Sequence, residues 1–214
     1  MPVRKLRLTS KSITGIRASA NGRGISFEST LERDLIVLMQ FDPTVRSIEE
    51  QPLTVAWVDE DGRRRRYTPD FLIRADAATR LIEVKPAAIL EQQADELRPK
   101  FEAATRYATE RGWHFEVWTE REIRTPRLAN AKFLLGYRER AADAELAEAL
   151  ISAVNRLNPI PVRRLLEQAF PDDSRRARGL AELWRLLATG LIAADFDREL
   201  SPATSITPRV RIQP

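Results

Sequence analysis

The chain has 214 residues, of which 43% are hydrophobic and 31% are charged, which is typical of a globular protein and not of a disordered one. Because it has no cysteine and one histidine, neither a disulfide nor a zinc site is expected, and any metal should be a hard cation on carboxylate oxygens, Mg²⁺ or Mn²⁺ first. Since no apolar run reaches the roughly 20 residues of a membrane helix and no apolar signal core opens the chain, we expect a cytoplasmic protein without a membrane partner.

The segment 1–26 is predicted to be an extended basic arm. It contains no acid and six basic residues, which are Arg4, Lys5, Arg7, Lys11, Arg17 and Arg23. With the net charge of +4, this distribution favours a polyanionic partner. Two interpretations stay open: Arg23 and its neighbours contact a phosphate backbone, or the arm is a solvated terminus.

The first helix is predicted around residues 29–41, and it carries the first candidate acid. Its apolar residues recur at helical spacing, namely Leu31, Leu35, Leu38 and Met39. Glu28 and Glu32 lie four residues apart and share one face near its start. Ser29 and Glu32 also have the spacing of a capping box, in which the glutamate satisfies a backbone N–H. From this local pattern alone, the cap is the favoured interpretation of Glu32.

A β-rich section follows. The β-forming residues 53–58 predict a strand, and Asp61-Gly62 predicts a hairpin turn after it. The returning strand begins with Arg63, Arg64, Arg65 and Arg66. This run is either a DNA-facing edge or an edge protected from aggregation by charge, and we favour DNA contact.

The strand 81–85 carries the main candidate site. Side chains alternate along a strand, so Glu83 and Lys85 point to one face and Ile82 and Val84 to the other. Burying either charge alone costs several kcal/mol, roughly 2–7 for a polar group and more for an ion. The pair therefore indicates a functional site, with a plain internal salt bridge as the alternative. Asp70, on the preceding strand 69–73, adds a second acid, as in a metal-dependent phosphodiesterase.

A long helix over 87–111, interrupted near Pro99, and a strand over 113–118 follow. A strand–helix–strand crossover predicts that 81–85 and 113–118 pair in parallel. His114, on the last strand, is interpreted as a packing or surface residue rather than a catalytic base.

The C-terminal part is predicted to be a small winged-helix-like domain. Helices are expected over 143–156, 161–169 and 175–189, and two short strands follow, around 191–194 and 205–212. Arg175 and Arg176 begin the third helix and are further candidates for DNA contact. DNA binding and protein docking both stay open for this domain.

Four motifs in order resemble the TnsA endonuclease family. They are Ser29-Thr30-Leu31-Glu32, Glu50-Gln51-Pro52-Leu53, Tyr67-Thr68-Pro69-Asp70-Phe71 and Glu83-Val84-Lys85-Pro86-Ala87-Ala88. TnsA is the subunit of heteromeric cut-and-paste transposases that nicks the 5′ ends of the transposon. The resemblance covers about residues 27–137, and the helical part downstream is similar, more weakly, to the winged-helix domain of that family.

The resemblance implies an α/β fold in which a restriction-endonuclease-like mixed-sheet core (27–137) is followed by a winged-helix-like domain (138–214). It assigns catalysis to Glu32, Asp70, Glu83 and Lys85, so that Glu32 serves in catalysis as well as capping. Asp70 would bridge one or two Mg²⁺ or Mn²⁺ ions, with Glu83, the Val84 carbonyl and Glu32 as further ligands. Lys85 would orient or deprotonate the attacking water. Glu28 is kept in reserve.

The function implied is that of a metal-dependent DNA endonuclease in transposition, and the location implied is the bacterial cytosol or nucleoid. Its expected partners are double-stranded DNA at transposon ends, a DDE-type transposase subunit and an ATPase regulator. Two alternatives stay open, namely a restriction or repair nuclease with the same core and a non-catalytic winged-helix DNA-binding adaptor.

Overall fold

The computed structural model describes residues 24–209 in full and the backbone of residues 15–18. Strands β1 (Gly15–Ala18) and β2 (Gly24–Phe27) pair antiparallel. This part of the predicted basic arm is therefore a β-hairpin, and the rest of the arm, including Arg23, lies outside the described residues.

The chain divides into two compact units, the first ending at Arg124 and the second beginning at Thr125. The sequence predicts this boundary one helix later, between residues 137 and 138. The difference has a packing cause, because the helix Pro126–Arg138 packs against the helix Asp173–Ala188 of the second unit.

The first unit is built on a mixed four-stranded sheet. Its other elements, in chain order, are α1 (Thr30–Phe41), β3 (Val45–Glu50), β4 (Val55–Val58), β5 (Arg64–Tyr67), β6 (Phe71–Ala75), β7 (Thr79–Val84), α2 (Ala87–Gln92), α3 (Ala94–Thr109), β8 (His114–Trp118) and α4 (Glu120–Ile123). The strand order is β3-β6-β7-β8. The first two pairings are antiparallel and β7 pairs parallel with β8, which confirms the predicted crossover.

Strand β7 is buried because it has a neighbour on each side. Leu81 and Ile82 are fully buried and Val84 is nearly so, although these side chains alternate between the two faces of the sheet. The hairpin β4–β5 and helix α3 meet in one hydrophobic cluster around Val55 and Tyr67. Glu83 contacts residues of both elements, so this cluster lies on the Glu83 side of β7.

Two elements of the first unit differ from the predictions. Strand β3 was not expected, because Val45–Glu50 has few β-forming residues and becomes a strand by pairing with β6. The long helix breaks at Gln93 and not near Pro99, which lies inside α3. Pro99 has no N–H, so the carbonyl of Asp95 lacks its intrahelical hydrogen bond. Asp95 is exposed.

The second unit combines helices with a small sheet. Its elements are α5 (Pro126–Arg138), α6 (Ala144–Leu157), β9 (Ile160–Pro161), α7 (Val162–Ala169), α8 (Asp173–Ala188), β10 (Ile192–Ala194) and β11 (Ser205–Pro208), with strand order β10-β11-β9. The three predicted helices and the terminal strand pair are present, and the winged-helix assignment stays a prediction. Among the described residues, no helix has the length and apolar character needed to cross a membrane.

Two contacts fix the interior of the second unit. Gly179 of α8 lies against the buried Phe170 ring, which occupies the space that a Cβ atom would need. Asn130 of α5 is buried and holds the β10–β11 connection, because its amide nitrogen donates to the carbonyls of Phe196 and Arg198 at 2.9 and 2.7 Å. The N–H of Leu200 donates to the Asn130 Oδ1 atom at 3.1 Å. The connection is therefore tied to the helical layer.

Candidate active site

Asp70 immediately precedes β6, at the point where the β6–β7 pairing stops. The last backbone pair is between Phe71 and Ile82. Beyond it, the Val84 N–H donates to the Asp70 Oδ2 atom at 2.8 Å, and the Gln51 N–H donates to the Asp70 carbonyl at 2.7 Å. The carboxylate is thereby fixed beside the end of β7 from which Glu83 and Lys85 project.

Glu83 is a buried carboxylate with three partners. Its side chain is 2% exposed. The Tyr67 hydroxyl donates to Oε2 at 2.6 Å, and Oε1 is 3.0 Å from the Lys85 ammonium and 3.3 Å from the Lys100 ammonium. The predicted Glu83–Lys85 pair is present, but it is part of a larger cluster to which the hairpin and α3 each contribute one residue.

Glu32 lies in the first turn of α1, and its cap is formed. The Glu32 N–H donates to the Ser29 hydroxyl oxygen at 3.1 Å. In return, its Oε1 atom accepts from the Ser29 hydroxyl at 2.9 Å and its Oε2 atom accepts from the Glu28 N–H at 2.8 Å. In a capping box the glutamate side chain accepts from the N–H of the N-cap residue. Here it accepts from the N–H of Glu28, the residue before the N-cap, which is a variation on the predicted box.

Electrostatic shifts show that the four predicted charges are neighbours. Burial raises the pKa of Asp70 well above its usual range, and the Glu83 and Glu32 charges raise it further. Burial lowers the pKa of Lys85, but the Glu83 and Asp70 charges outweigh that effect and raise it overall. Burial also raises the pKa of Glu32, against the hydrogen bonds from Glu28 and Ser29. Residues from α1, β6 and β7 therefore act on one another electrostatically.

The donor set suits a hard divalent cation. Glu32, Asp70 and Glu83 offer carboxylate oxygens, which Mg²⁺ and Mn²⁺ prefer. The repulsion that raises the pKa of Asp70 is also what a bound cation would relieve. Within residues 24–209, however, no three Asp, Glu or His side chains are gathered as a ready metal-binding group.

Two further candidates lie close to this cluster. Glu28 accepts from the Gln51 amide nitrogen at 3.3 Å. Gln51 itself has a positive φ of 43° and joins Glu28 to the Asp70 backbone. Val84 is the last residue of β7, and its N–H serves as the donor to Asp70.

The four arginines of the hairpin fall into two pairs. Arg63 and Arg65 form ion pairs inside the hairpin, with Asp61 at 3.5 Å and with Asp59 at 2.7 Å. Arg64 and Arg66 point to the opposite face of β5 from Tyr67, because side chains alternate along a strand, and both are exposed. Neither has an ion-pair partner within the described part of the chain.

The arginines at the start of α8 are engaged within the second unit. Arg175 pairs with Glu145, and its guanidinium lies 5.8 Å from the centre of the Phe170 ring. Arg176 pairs with Asp173 at 2.7 Å and donates to a backbone carbonyl. Their predicted role in DNA contact stays a prediction.

Tyr67 and Lys100 belong to the cluster but were not predicted as site residues. Burial and the Glu83 charge raise the pKa of Tyr67, so its hydroxyl stays protonated and can donate. The signal for Lys100 was its spacing, three residues after the buried Leu97 and four before the buried Ala104, which places it on the inner face of α3. A lysine on a buried helical face requires an acidic partner, and here that partner is Glu83.

A mixed sheet with an acid just before one strand, and an acid and a lysine at the end of the next, is the arrangement of the restriction-endonuclease-like class. The family model described as TnsA-like endonuclease N terminal matches residues 42–120, and the one described as TnsA endonuclease C terminal matches residues 122–196. The chain belongs to the TnsA endonuclease family and is an endonuclease related to transposition. Asp70, Glu83 and Lys85 lie inside the matched residues, whereas Glu32 precedes them. No curated protein matches the chain.

Proposed function

We propose that the protein is a Mg²⁺- or Mn²⁺-dependent endodeoxyribonuclease that nicks the 5′ ends of a transposon together with a DDE-type transposase subunit and an ATPase regulator. The observation that carries the proposal is the meeting of Asp70, Glu83 and Lys85 at one end of β7. Family membership supports a DNA substrate and a transposase partner.

Asp70 is the residue best suited to hold the cation. Its carboxylate is oriented by the Val84 N–H and is crowded by the charges of Glu83 and Glu32. Glu83, Glu32 and the Val84 carbonyl are the further oxygen donors. A bound divalent cation would supply a Lewis acid and a stronger water nucleophile at neutral pH.

Lys85 is the candidate for orienting the attacking water and for offsetting negative charge. Its side chain is 29% exposed, so the ammonium group can reach a phosphate at the surface of the site. Because its pKa is raised, it is a cation at neutral pH and offsets the negative charge that develops on the phosphorus oxygens during hydrolysis. In this state it orients the attacking water by donating an N–H hydrogen bond to the water oxygen.

The outer face of the hairpin β4–β5 is the surface proposed for the DNA backbone. Arg64 and Arg66 lie on that face and offer two charges that are not neutralised by the hairpin. Contacts of this kind position the duplex and carry no sequence information. Recognition of the transposon ends is therefore assigned to the partners or to the second unit.

The test is a nicking assay on supercoiled plasmid and on DNA carrying transposon ends, with Mg²⁺ or Mn²⁺ and with EDTA as the control. Reactions contain the protein alone or with its transposase. We expect metal-dependent cuts at the 5′ ends in the complete reaction, and their loss with Asp70→Ala while DNA binding is retained. Unchanged cleavage by that variant contradicts the site, and DNA binding without cleavage under every condition favours the adaptor alternative.

A further inference from the structure

Lys100 of α3 has no role in the site predicted above, yet it contacts that site directly. Its ammonium lies 3.3 Å from the Glu83 Oε1 atom, the same oxygen that Lys85 contacts at 3.0 Å. It also lies 4.7 Å from the centre of the Tyr67 ring and 5.1 Å from that of Phe101. The Tyr67 ring and Glu83 thus fix the position of this lysine together.

Two ammonium groups on one carboxylate oxygen are more than a single ion pair requires. Glu83 is buried, and a buried carboxylate that loses its positive partner is strongly destabilising. If Lys85 were that only partner, moving it toward a phosphate would leave an unpaired buried charge. With Lys100 and the Tyr67 hydroxyl in place, Glu83 stays compensated when Lys85 turns to the substrate.

We propose that Lys100 is a positioning residue of the nuclease site, which holds Glu83 together with Tyr67 and thereby releases Lys85 for the scissile phosphate. The inference rests on the proposed function for its catalytic consequence only. The ion pair itself is a property of the fold, and it is measured without metal, DNA or partner.

The first experiment is a double-mutant cycle in the unfolding equilibrium of the full chain in EDTA, with Lys100→Met, Glu83→Gln and the double variant. Lys100→Met should destabilise the protein, and the same change should have little effect once Glu83 is neutral. We expect a coupling of about fivefold or more in the unfolding equilibrium constant. Equal effects in both backgrounds overturn the proposal.

The second experiment is the single-turnover nicking rate at saturating DNA. Loss of an outer partner of an active-site acid reduces activity by about 10–100-fold, and we expect Lys100→Met to reduce the rate within this range with DNA affinity unchanged. Lys100→Arg keeps the charge and should recover most of the rate. A rate unchanged by Lys100→Met, or lost equally in Lys100→Arg, contradicts the assigned role.

Arg98→Met is the matched control, because it removes one positive charge from the same helix. Arg98 pairs with the exposed Asp95 and does not contact Glu83. Arg98→Met should show no coupling to Glu83→Gln in the unfolding equilibrium, and it should leave the nicking rate unchanged. If the wild-type protein cuts no DNA, the proposed function fails, and the unfolding cycle still decides whether Lys100 compensates Glu83.

Discussion

The Asp70 carboxylate accepts the hydrogen bond from the Val84 N–H, in the place where a backbone carbonyl of a neighbouring strand would otherwise accept it. The donor–acceptor distance is 2.8 Å, and the bond lies just beyond the last backbone pair of β6 and β7. On the other side of β7, the pairing with β8 extends one residue further, because the Lys85 N–H donates to the Trp118 carbonyl at 3.0 Å. Asp70 is therefore both an acid of the candidate site and the residue at which the β6–β7 pairing ends.

Replacing Asp70 separates these two roles. Asp70→Asn keeps an acceptor oxygen for Val84, whereas Asp70→Ala removes it. Both should reduce nicking by about 10²–10³-fold or more, because a charged group of the site is lost. Asp70→Ala should be less stable than Asp70→Asn by about 1–3 kcal/mol, the usual effect of a buried donor left unpaired. Nicking rates and urea unfolding measure the two effects, and equal stability of the variants contradicts the structural role.

Asp70 should also make stability depend on pH. Its pKa is raised in the folded protein, above the ordinary value of 3.8, because of burial and the Glu83 and Glu32 charges. The folded state therefore holds a proton that the unfolded state releases, and stability falls as pH rises from the unfolded pKa through the folded one. In EDTA, Asp70→Asn should be more stable than the wild type by about 1–2 kcal/mol at pH 8.

The check is thermal unfolding of both proteins between pH 4 and pH 8 in EDTA. The stability gained by Asp70→Asn should shrink as the pH falls toward the ordinary pKa of an aspartate. A gain that is the same at every pH contradicts a raised pKa for Asp70.

The two arginine pairs of the hairpin should differ in DNA binding. Arg64→Ala/Arg66→Ala removes the two exposed charges without an ion-pair partner, and Arg63→Ala/Arg65→Ala removes the same net charge from the residues paired with Asp61 and Asp59. Each lost phosphate contact lowers the slope of log affinity against log salt by about 0.9. The slope should fall by up to about 2 for Arg64→Ala/Arg66→Ala and by much less for Arg63→Ala/Arg65→Ala. Fluorescence anisotropy with a salt series measures both.

Substitutions of Ser29 and Glu32 test capping and catalysis separately. Ser29→Ala removes the N-cap and should cost about 0.5–2 kcal/mol of stability, with nicking retained at a temperature where the protein stays folded. Glu32→Gln keeps acceptor capacity for the Glu28 N–H but loses the charge beside Asp70. It should reduce nicking strongly. Full activity in Glu32→Gln contradicts a catalytic role and leaves Glu32 as a cap.

The second unit offers a matched pair of glycine substitutions. Gly179→Ala forces a Cβ atom into the Phe170 ring and should destabilise by about 1–3 kcal/mol, as overpacking does. Gly136, in α5, has open space around it, so Gly136→Ala should stabilise by about 0.4–1 kcal/mol through a less flexible unfolded chain. Chemical denaturation gives both values, and a shared sign contradicts the packing account.

Local pattern was sufficient to predict the strand of the site. Alternation placed Glu83 and Lys85 on one face, and the length of the connection predicted the parallel pairing of β7 with β8. Both follow from properties of the chain within about 35 residues. The helix carrying Glu32 was predicted in the same way, and so was its cap.

The partners of Glu83 could not be found by local pattern, because they come from separate elements. Tyr67 stands on a hairpin and Lys100 on a helix, and only tertiary packing brings both to one carboxylate. Strand β3 has a similar cause, since its polar sequence acquires strand structure from its neighbour β6. The local sequence also did not show that α5 belongs to the second unit, because that assignment depends on the contact of α5 with α8.

The connectivity around β7 also combines local contacts with contacts of long sequence separation. Asp70 and Glu83 are joined by a tight hairpin, which closes on a scale of roughly 1–10 μs, whereas β8 and α3 add contacts of much longer sequence separation. The Lys100–Glu83 ion pair is one of these long-range contacts, because it joins the crossover helix α3 to β7 at 3.3 Å. A charge that the site needs therefore also ties the crossover helix to the face of the sheet on which Glu83 lies.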